Sequence, residues 1–139
     1  MIQDFYNLKI NTNGQKLYEF TDKTIEWVKK NNFKNGILNL SIQHTSASII
    51  VQENADPDVQ TDLINYFNKI APMDNSLYIH TTEGIDDMPA HIKSSLTNNQ
   101  ITLSIKNGEL MLGTWQGLYL FEHRLAPQSR NIIFHFLGD

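Results

Sequence analysis

The sequence predicts an α+β domain with about three helices packed on a mainly antiparallel sheet, and three observations carry that prediction. Val59, Leu63, Ile64, Tyr66, Phe67 and Ile70 recur at helical spacing behind Asp56-Pro57, an N-cap followed by proline at the first helical position. Ile101, Leu103 and Ile105 alternate up to Asn107-Gly108, a strong two-residue hairpin signal. Strands of uneven spacing are interrupted by helices rather than alternating with them, which favours segregated helices over a parallel βαβ sheet.

Taken in order, strands are expected around Phe5 to Ile10, Ile37 to Gln43, Ala47 to Glu53 and Leu77 to Thr81, each rich in β-branched or aromatic residues. A helix is expected from Asp22 to Asn32, capped by Thr21 or Asp22 and seated on Ile25 and Val28. Another should begin near Asp87 or Met88, with Pro89 in its first turn and Met88, Ile92 and Leu96 on its buried side. After the Asn107-Gly108 turn, Leu110 to Leu112 should return antiparallel, and Trp115 to Glu122 and Ile132 to Leu137 should follow as strands.

At 139 residues the chain can bury one real core, and no linker, repeat or low-complexity tract divides it, so residues 1–139 are read as a single domain. There is no cysteine, so any metal must be held by imidazole, carboxylate or water. The first ten residues lack the basic start and long apolar run of a signal peptide, and no apolar stretch reaches the length of a membrane span; a cytoplasmic, soluble protein is expected. The net charge of −4 argues against a nucleic-acid surface. Acidity is regional: between Glu53 and Asp87 only Lys69 opposes Glu53, Asp56, Asp58, Asp62, Asp74, Glu83, Asp86 and Asp87. Asp56, Asp58 and Asp62 read as caps and a solvated helix face, leaving Glu83, Asp86 and Asp87 as the better functional candidates.

The densest chemistry lies between His80 and His91, where two imidazoles and the carboxylates of Glu83, Asp86 and Asp87 form the ligand set that a divalent ion accepts without sulfur. Asp87 and His91 are four apart, so on a helix the carboxylate could orient the imidazole. The spacing matches no dedicated metal signature, and Asp86 or Asp87 could equally cap the helix. His44 would share a strand face with Leu38, Leu40 and Ile42, the reading of a core or sheet-end histidine. The hydroxyls of Thr45, Ser46 and Ser48 beside it suit a ligand rim and are also ordinary turn chemistry. Glycines bracket Trp115 and Gln116, permitting close backbone approach. Arg124 and Arg130 are the only arginines; with Lys93 they could meet phosphate or carboxylate, while a surface ion pair is the plainer reading of Arg130. His135 reads as a sheet residue.

Three blocks together form a pattern: His44 to Ser48 with Glu53 to Asp58; His80 to Gly84 with Asp87 to Lys93; and Gly113 to Gly117 with Glu122 to Arg124. In these the chain closely resembles the YjbQ family, over nearly its whole length and in order. The resemblance implies a YjbQ-like fold and a cytoplasmic homotrimer with secondary, weak thiamine-phosphate synthase activity, a transferase reaction joining a pyrimidine diphosphate to a thiazole phosphate. It implies His44, His80 and His91 as metal ligands, with zinc, magnesium or manganese as the ion, and His44, Glu83 and His91 as catalytic residues. Asp87 would support the ligands from behind. Thr45, Ser46, Asn54, Lys93, Gln116 and Arg124 would bind a small phosphorylated metabolite, Lys93 or Arg124 holding its phosphate oxygens. The sequence departs from the family pattern at Gln43, where relatives often carry a basic or histidine residue, and at Asn98-Asn99-Gln100, which replaces a glycine-containing link. Two alternatives stand beside this reading: a metal-dependent hydrolase of a small metabolite with Glu83 as general base, and a non-catalytic trimer that binds a metabolite or metal.

Overall fold

Leu118 to Phe121 form a four-residue apolar run that exceeds the alternation of a half-exposed strand, and the structure shows why: both faces of this strand are covered. A computed structural model of the chain describes residues 1–139. Its elements are β1 (Ile2–Thr12), β2 (Lys16–Glu19), α1 (Thr21–Lys30), β3 (Gly36–Ile42), β4 (Ala47–Glu53), α2 (Pro57–Ile70), α3 (Asp87–Leu96), β5 (Gln100–Lys106), β6 (Glu109–Leu110), β7 (Gln116–Glu122) and β8 (Gln128–Gly138). A 3-10 turn spans Asn75–Leu77.

The strands form two antiparallel sheets, one ordered β1-β8-β3-β5-β6 and the other β2-β7-β4. Leu38 and Leu40 of β3 and Ile132, Phe134 and Phe136 of β8 point inward against Ala47 and Ile49 of β4 and Leu118 and Leu120 of β7, so the sheets share one core. Trp27 and Val28 of α1 and the following Phe33 complete that core, with the Phe33 ring stacked 3.9 Å from Phe136. The odd-numbered side chains Tyr119 and Phe121 face the other way, where Leu63, Ile64 and Phe67 of α2 cover them. No helix is long and apolar enough to cross a membrane.

Most expected elements are present. Asp56 caps α2 through its side chain, which accepts the Asp58 N–H. Asn107 and Gly108 adopt φ of 53° and 80°, the left-handed pair a tight hairpin requires, although β6 is shorter than expected and ends at Leu110. Four expectations need correction. The strand placed at Leu77 to Thr81 does not form: Asp74 accepts from both the N–H and the hydroxyl of Ser76, nucleating the 3-10 turn, and Ile79 beyond it is fully exposed with no strand beside it. Helix α1 is not capped by Thr21 or Asp22, because the Thr21 hydroxyl is used elsewhere, donating to Glu19 and accepting the Leu118 N–H. Helix α3 buries Asp87, Pro89, Ala90 and Lys93, whereas Met88 and Ile92 are half-buried and Leu96 is exposed. The buried face of the helix thus pairs the apolar Pro89 and Ala90 with two charged residues that find polar partners.

Arg130 is the fourth correction. Far from the surface, its guanidinium donates from Nε and Nη2 to both oxygens of the fully buried Glu122 carboxylate, at 2.8 and 2.6 Å. Thr12 and the backbone N–H of His123 also donate to this carboxylate, so the burial of the charge is well compensated.

Candidate functional site

The segment that fails to become a strand delivers His80 to the start of α3. Its Nε2 lies 2.8 Å from Oδ2 of Asp87, and one helical turn later His91 brings its own Nε2 to 3.1 Å from the same oxygen. The two imidazole nitrogens and the carboxylate oxygen lie within 4.8 Å of one another and could hold a metal ion. Glu83, with an exposed side chain, places Oε2 at 3.5 Å from His80 Nε2.

His91 and Asp87 are each held from behind. His91 Nδ1 lies 2.9 Å from the Thr45 carbonyl, an acceptor only, so Nδ1 carries the proton and donates. Nε2 of His91 therefore faces the Asp87 carboxylate either as a lone pair or as a second N–H; a proton or a cation must lie between them. Arg124 binds the other Asp87 oxygen through Nη1 at 2.6 Å, Asp86 through Nε at 2.9 Å and the Glu83 carbonyl through Nη2 at 3.0 Å. Burial alone would raise the Asp87 carboxyl; the His80 hydrogen bond, with Arg124 and His91 beside it, outweighs that and holds it below the usual carboxylate range. Burial likewise opposes ionisation of Asp86, and the Leu125 N–H and Arg124 win, keeping it ionised. One guanidinium thus pairs with two carboxylates, Asp86 and Asp87, and with the Glu83 backbone carbonyl.

His44 stands outside this group. Its Nε2 accepts the Asn131 N–H at 2.8 Å, which leaves Nδ1 as its one unpartnered ring nitrogen. Asp87, expected to support the ligands from behind, lies in one group with His80 and His91. Lys93 and Arg124 are not free for phosphate: the Lys93 ammonium is buried and donates to Asn68 at 2.6 Å, its pKa pushed down to about 8 by burial, and Arg124 is spent on Asp86, Asp87 and Glu83. Ser46 is tied to Arg130 through its carbonyl and hydroxyl. Asn54 and Gln116 lie at the other end of β4 and β7, where Glu53 pairs with Gln116, roughly 20 Å away along six strand residues. Trp115 is exposed there too.

Beside His91 opens a cleft of about 340 Å³ lined by His44, Thr45, Ser94, Ser95, Thr97 and Asn99 as well as His91 itself, without an apolar side chain or a cationic Lys or Arg. Ser94, Ser95, Thr97 and Asn99 escaped sequence reasoning. Their only signal was a polar run on a helix end, which solvent exposure explains equally well.

Residues 6–139 match the family model described as UPF0047 protein YjbQ-like. The chain belongs to this YjbQ-like family. A relative in Synechocystis, UPF0047 protein sll1880, is 48% identical over 132 residues, covering 95% of this chain and 90% of the relative. UPF0047 protein YjbQ of Salmonella typhimurium is 46% identical over 106 residues, 76% of each chain. Among solved structures, the conserved hypothetical protein TT1486 of Thermus thermophilus superposes with a TM-score of 0.84 at 30% identity, over 95% of this chain and 99% of that one. The two sheets and three helices described above are therefore the YjbQ-like fold, and the His80 to His91 segment falls within its matched region.

Proposed function

We propose that His80, Asp87 and His91 hold a divalent cation and that the protein is a metal-dependent enzyme acting on a small phosphorylated metabolite. The observation that carries this reading is the convergence of two imidazole nitrogens on one carboxylate oxygen, at 2.8 and 3.1 Å. A tetrahedral site with bonds of 2.0–2.1 Å has ligand atoms about 3.3 Å apart, so small side-chain adjustments suffice to admit an ion. Imidazole with carboxylate suits zinc or manganese better than magnesium, which prefers oxygen. When bound, the cation supplies positive charge that neutralises a phosphate or diphosphate leaving group. That matters here because the cleft offers no cationic side chain of its own. Arg124 fixes Asp87, Thr45 fixes the His91 tautomer, and the hydroxyl-lined cleft receives the substrate beside them.

The reaction that the family resemblance singles out is coupling of a pyrimidine diphosphate to a thiazole phosphate. The expected result is thiamine phosphate formed by zinc- or manganese-loaded protein, lost after EDTA stripping and in His91→Ala. Undiminished synthesis by the metal-free protein would refute the metal reading; no synthesis with any metal would remove this substrate pair. The exposed Glu83 carboxylate, placed where a general base could reach a water at the site, favours a second reading as a hydrolase of a phosphorylated or acyl metabolite. Glu83→Gln should then abolish turnover on a hydrolase panel while retaining metal. A metal-binding protein inert with both assays would instead be a non-catalytic binder. The resemblance also implies a homotrimer; exposed Tyr66 and Ile70 of α2 and the nearby Leu77 and Ile79 are apolar side chains that assembly would cover, and sedimentation gives the answer.

A further inference from the structure

β3 stops pairing at Ile42, opposite Ile132, but its hydrogen bonding to β8 continues one step further. The Gln43 N–H donates to the Asn131 carbonyl at 3.4 Å. In an antiparallel ladder the reciprocal bond would run from the Asn131 N–H to the Gln43 carbonyl. Here the His44 ring takes that bond at Nε2, so an imidazole replaces a backbone carbonyl at the frayed end of the sheet.

The consequence is a fixed tautomer. A backbone N–H can only donate, so Nε2 must present its lone pair, and the ring proton resides on Nδ1. Nδ1 has no protein partner, yet it is not sealed in: the only buried side-chain polar atom lacking a partner is Nδ1 of His123. His44 lines the same cleft as His91, and Thr45 between them binds His91 through its carbonyl. The hydroxyls of Ser94, Ser95 and Thr97 donate back to the carbonyls of Ala47, Ile92 and Lys93, leaving their lone pairs outward. His44 is therefore the cleft's side-chain N–H whose tautomer a backbone contact presets, beside three hydroxyls that offer lone pairs.

We propose that the cleft between His44 and the C-terminal half of α3 is a subsite for an acceptor oxygen of the substrate, carbonyl or phosphoryl, with His44 Nδ1–H as its fixed donor. This deepens the reading above and rests on it only for the ion beside the cleft. Burial, and then the charge of Arg130, disfavour a second proton on the ring, which keeps it an uncharged donor. An N–H prepositioned in this way acts where negative charge gathers on the oxygen, the role for which loss of one donor costs about 10²- to 10³-fold in kcat.

Nitrogen-15 NMR of the histidine rings in the whole protein decides it without a known substrate. His44 should show a pyridine-type Nε2 and a protonated Nδ1, with His44→Gln confirming the assignment. Zinc should move the His80 and His91 resonances and leave His44 Nε2 unmoved; inorganic phosphate added to the zinc-loaded protein should then shift the His44 Nδ1–H. A protonated Nε2, a His44 ring that binds zinc, or an Nδ1–H indifferent to phosphate overturns the proposal. If zinc moves none of the histidines, the cation reading fails instead, and phosphate added alone still tests the donor.

Discussion

His123 should make the protein acid-sensitive in a way that one substitution can isolate. The side chain is 1% exposed, its Nε2 lies 2.9 Å from the Ser48 hydroxyl and its Nδ1 has no partner. Burial, and then the charges of Lys93 and Arg130, push its pKa down to about 3. In the unfolded chain the ring titrates near 6.5, so between roughly pH 6.5 and 3 the unfolded state binds a proton that the folded state refuses. Stability contributed by the neutral ring is fully present above the unfolded pKa and is lost as pH falls through that window. At about 1.4 kcal/mol per pH unit, His123 alone should cost roughly 3 kcal/mol between pH 7 and pH 4. His123→Gln keeps an amide that can reach Ser48 and does not titrate. Urea unfolding at pH 7 and pH 4 should therefore show the variant less stable than wild type at pH 7, by about 1–2 kcal/mol for imperfect packing and hydrogen bonding, and the difference reversed or abolished at pH 4. Carboxylates such as Asp86 and Asp87 also lose stabilisation in acid, but equally in both proteins. A wild-type-minus-variant difference that stays constant within about 0.5 kcal/mol over this range would refute the reasoning.

Removing one side of the Glu122–Arg130 pair leaves a buried charge alone, so Arg130→Met should cost about 3–5 kcal/mol by urea unfolding at pH 7; a loss below about 1 kcal/mol would show that the pair is dispensable. Gly36→Ala should destabilise by about 1–3 kcal/mol, because a Cβ there would collide with the Leu137 carbonyl, backbone that cannot swing aside; an unchanged melting temperature would contradict it. Zinc at a hundred times its dissociation constant should stabilise the native state by about 2.7 kcal/mol, and calorimetry should show that gain vanish in His80→Ala. Asp87→Asn should weaken zinc binding at least as much, since it removes ligand charge, and isothermal titration measures both.

Much of the fold was legible because local signals agreed with tertiary packing. Asp56-Pro57 fixed the start of α2, the alternation of Ile101, Leu103 and Ile105 up to Asn107-Gly108 fixed the hairpin, and β4 begins and ends at Ala47 and Glu53 as its β-branched run suggested. The Leu77 to Thr81 strand failed because propensity says nothing about whether a neighbouring strand exists; Ile79 has none. At the site, His80, His91 and Asp87 were recognisable from density and spacing on the chain. Their arrangement was not: His44 stands apart from His80, Asp87 and His91, its Nε2 claimed by Asn131, some ninety residues on, a contact no local pattern encodes. Lys93 looked like a phosphate partner and Arg130 like half of a surface ion pair for the same reason, since burial of a charge depends on partners such as Asn68 and Glu122 that come from other elements.

β8 pairs with β1 along eleven positions and with β3 along seven, so the large sheet closes only when strands from opposite ends of the described chain meet. Such pairing incurs its loop-closure entropy before it returns any contact energy, which places the docking of β8 late in folding. Arg130 and Asn131, which hold Ser46 and His44, arrive on that strand. A nascent or partly unfolded chain can therefore carry α2 and the β5–β6 hairpin and still have no cleft. Recovery of the His44 tautomer during refolding should coincide with the slowest phase in which tertiary structure returns, not with the earlier gain of helix.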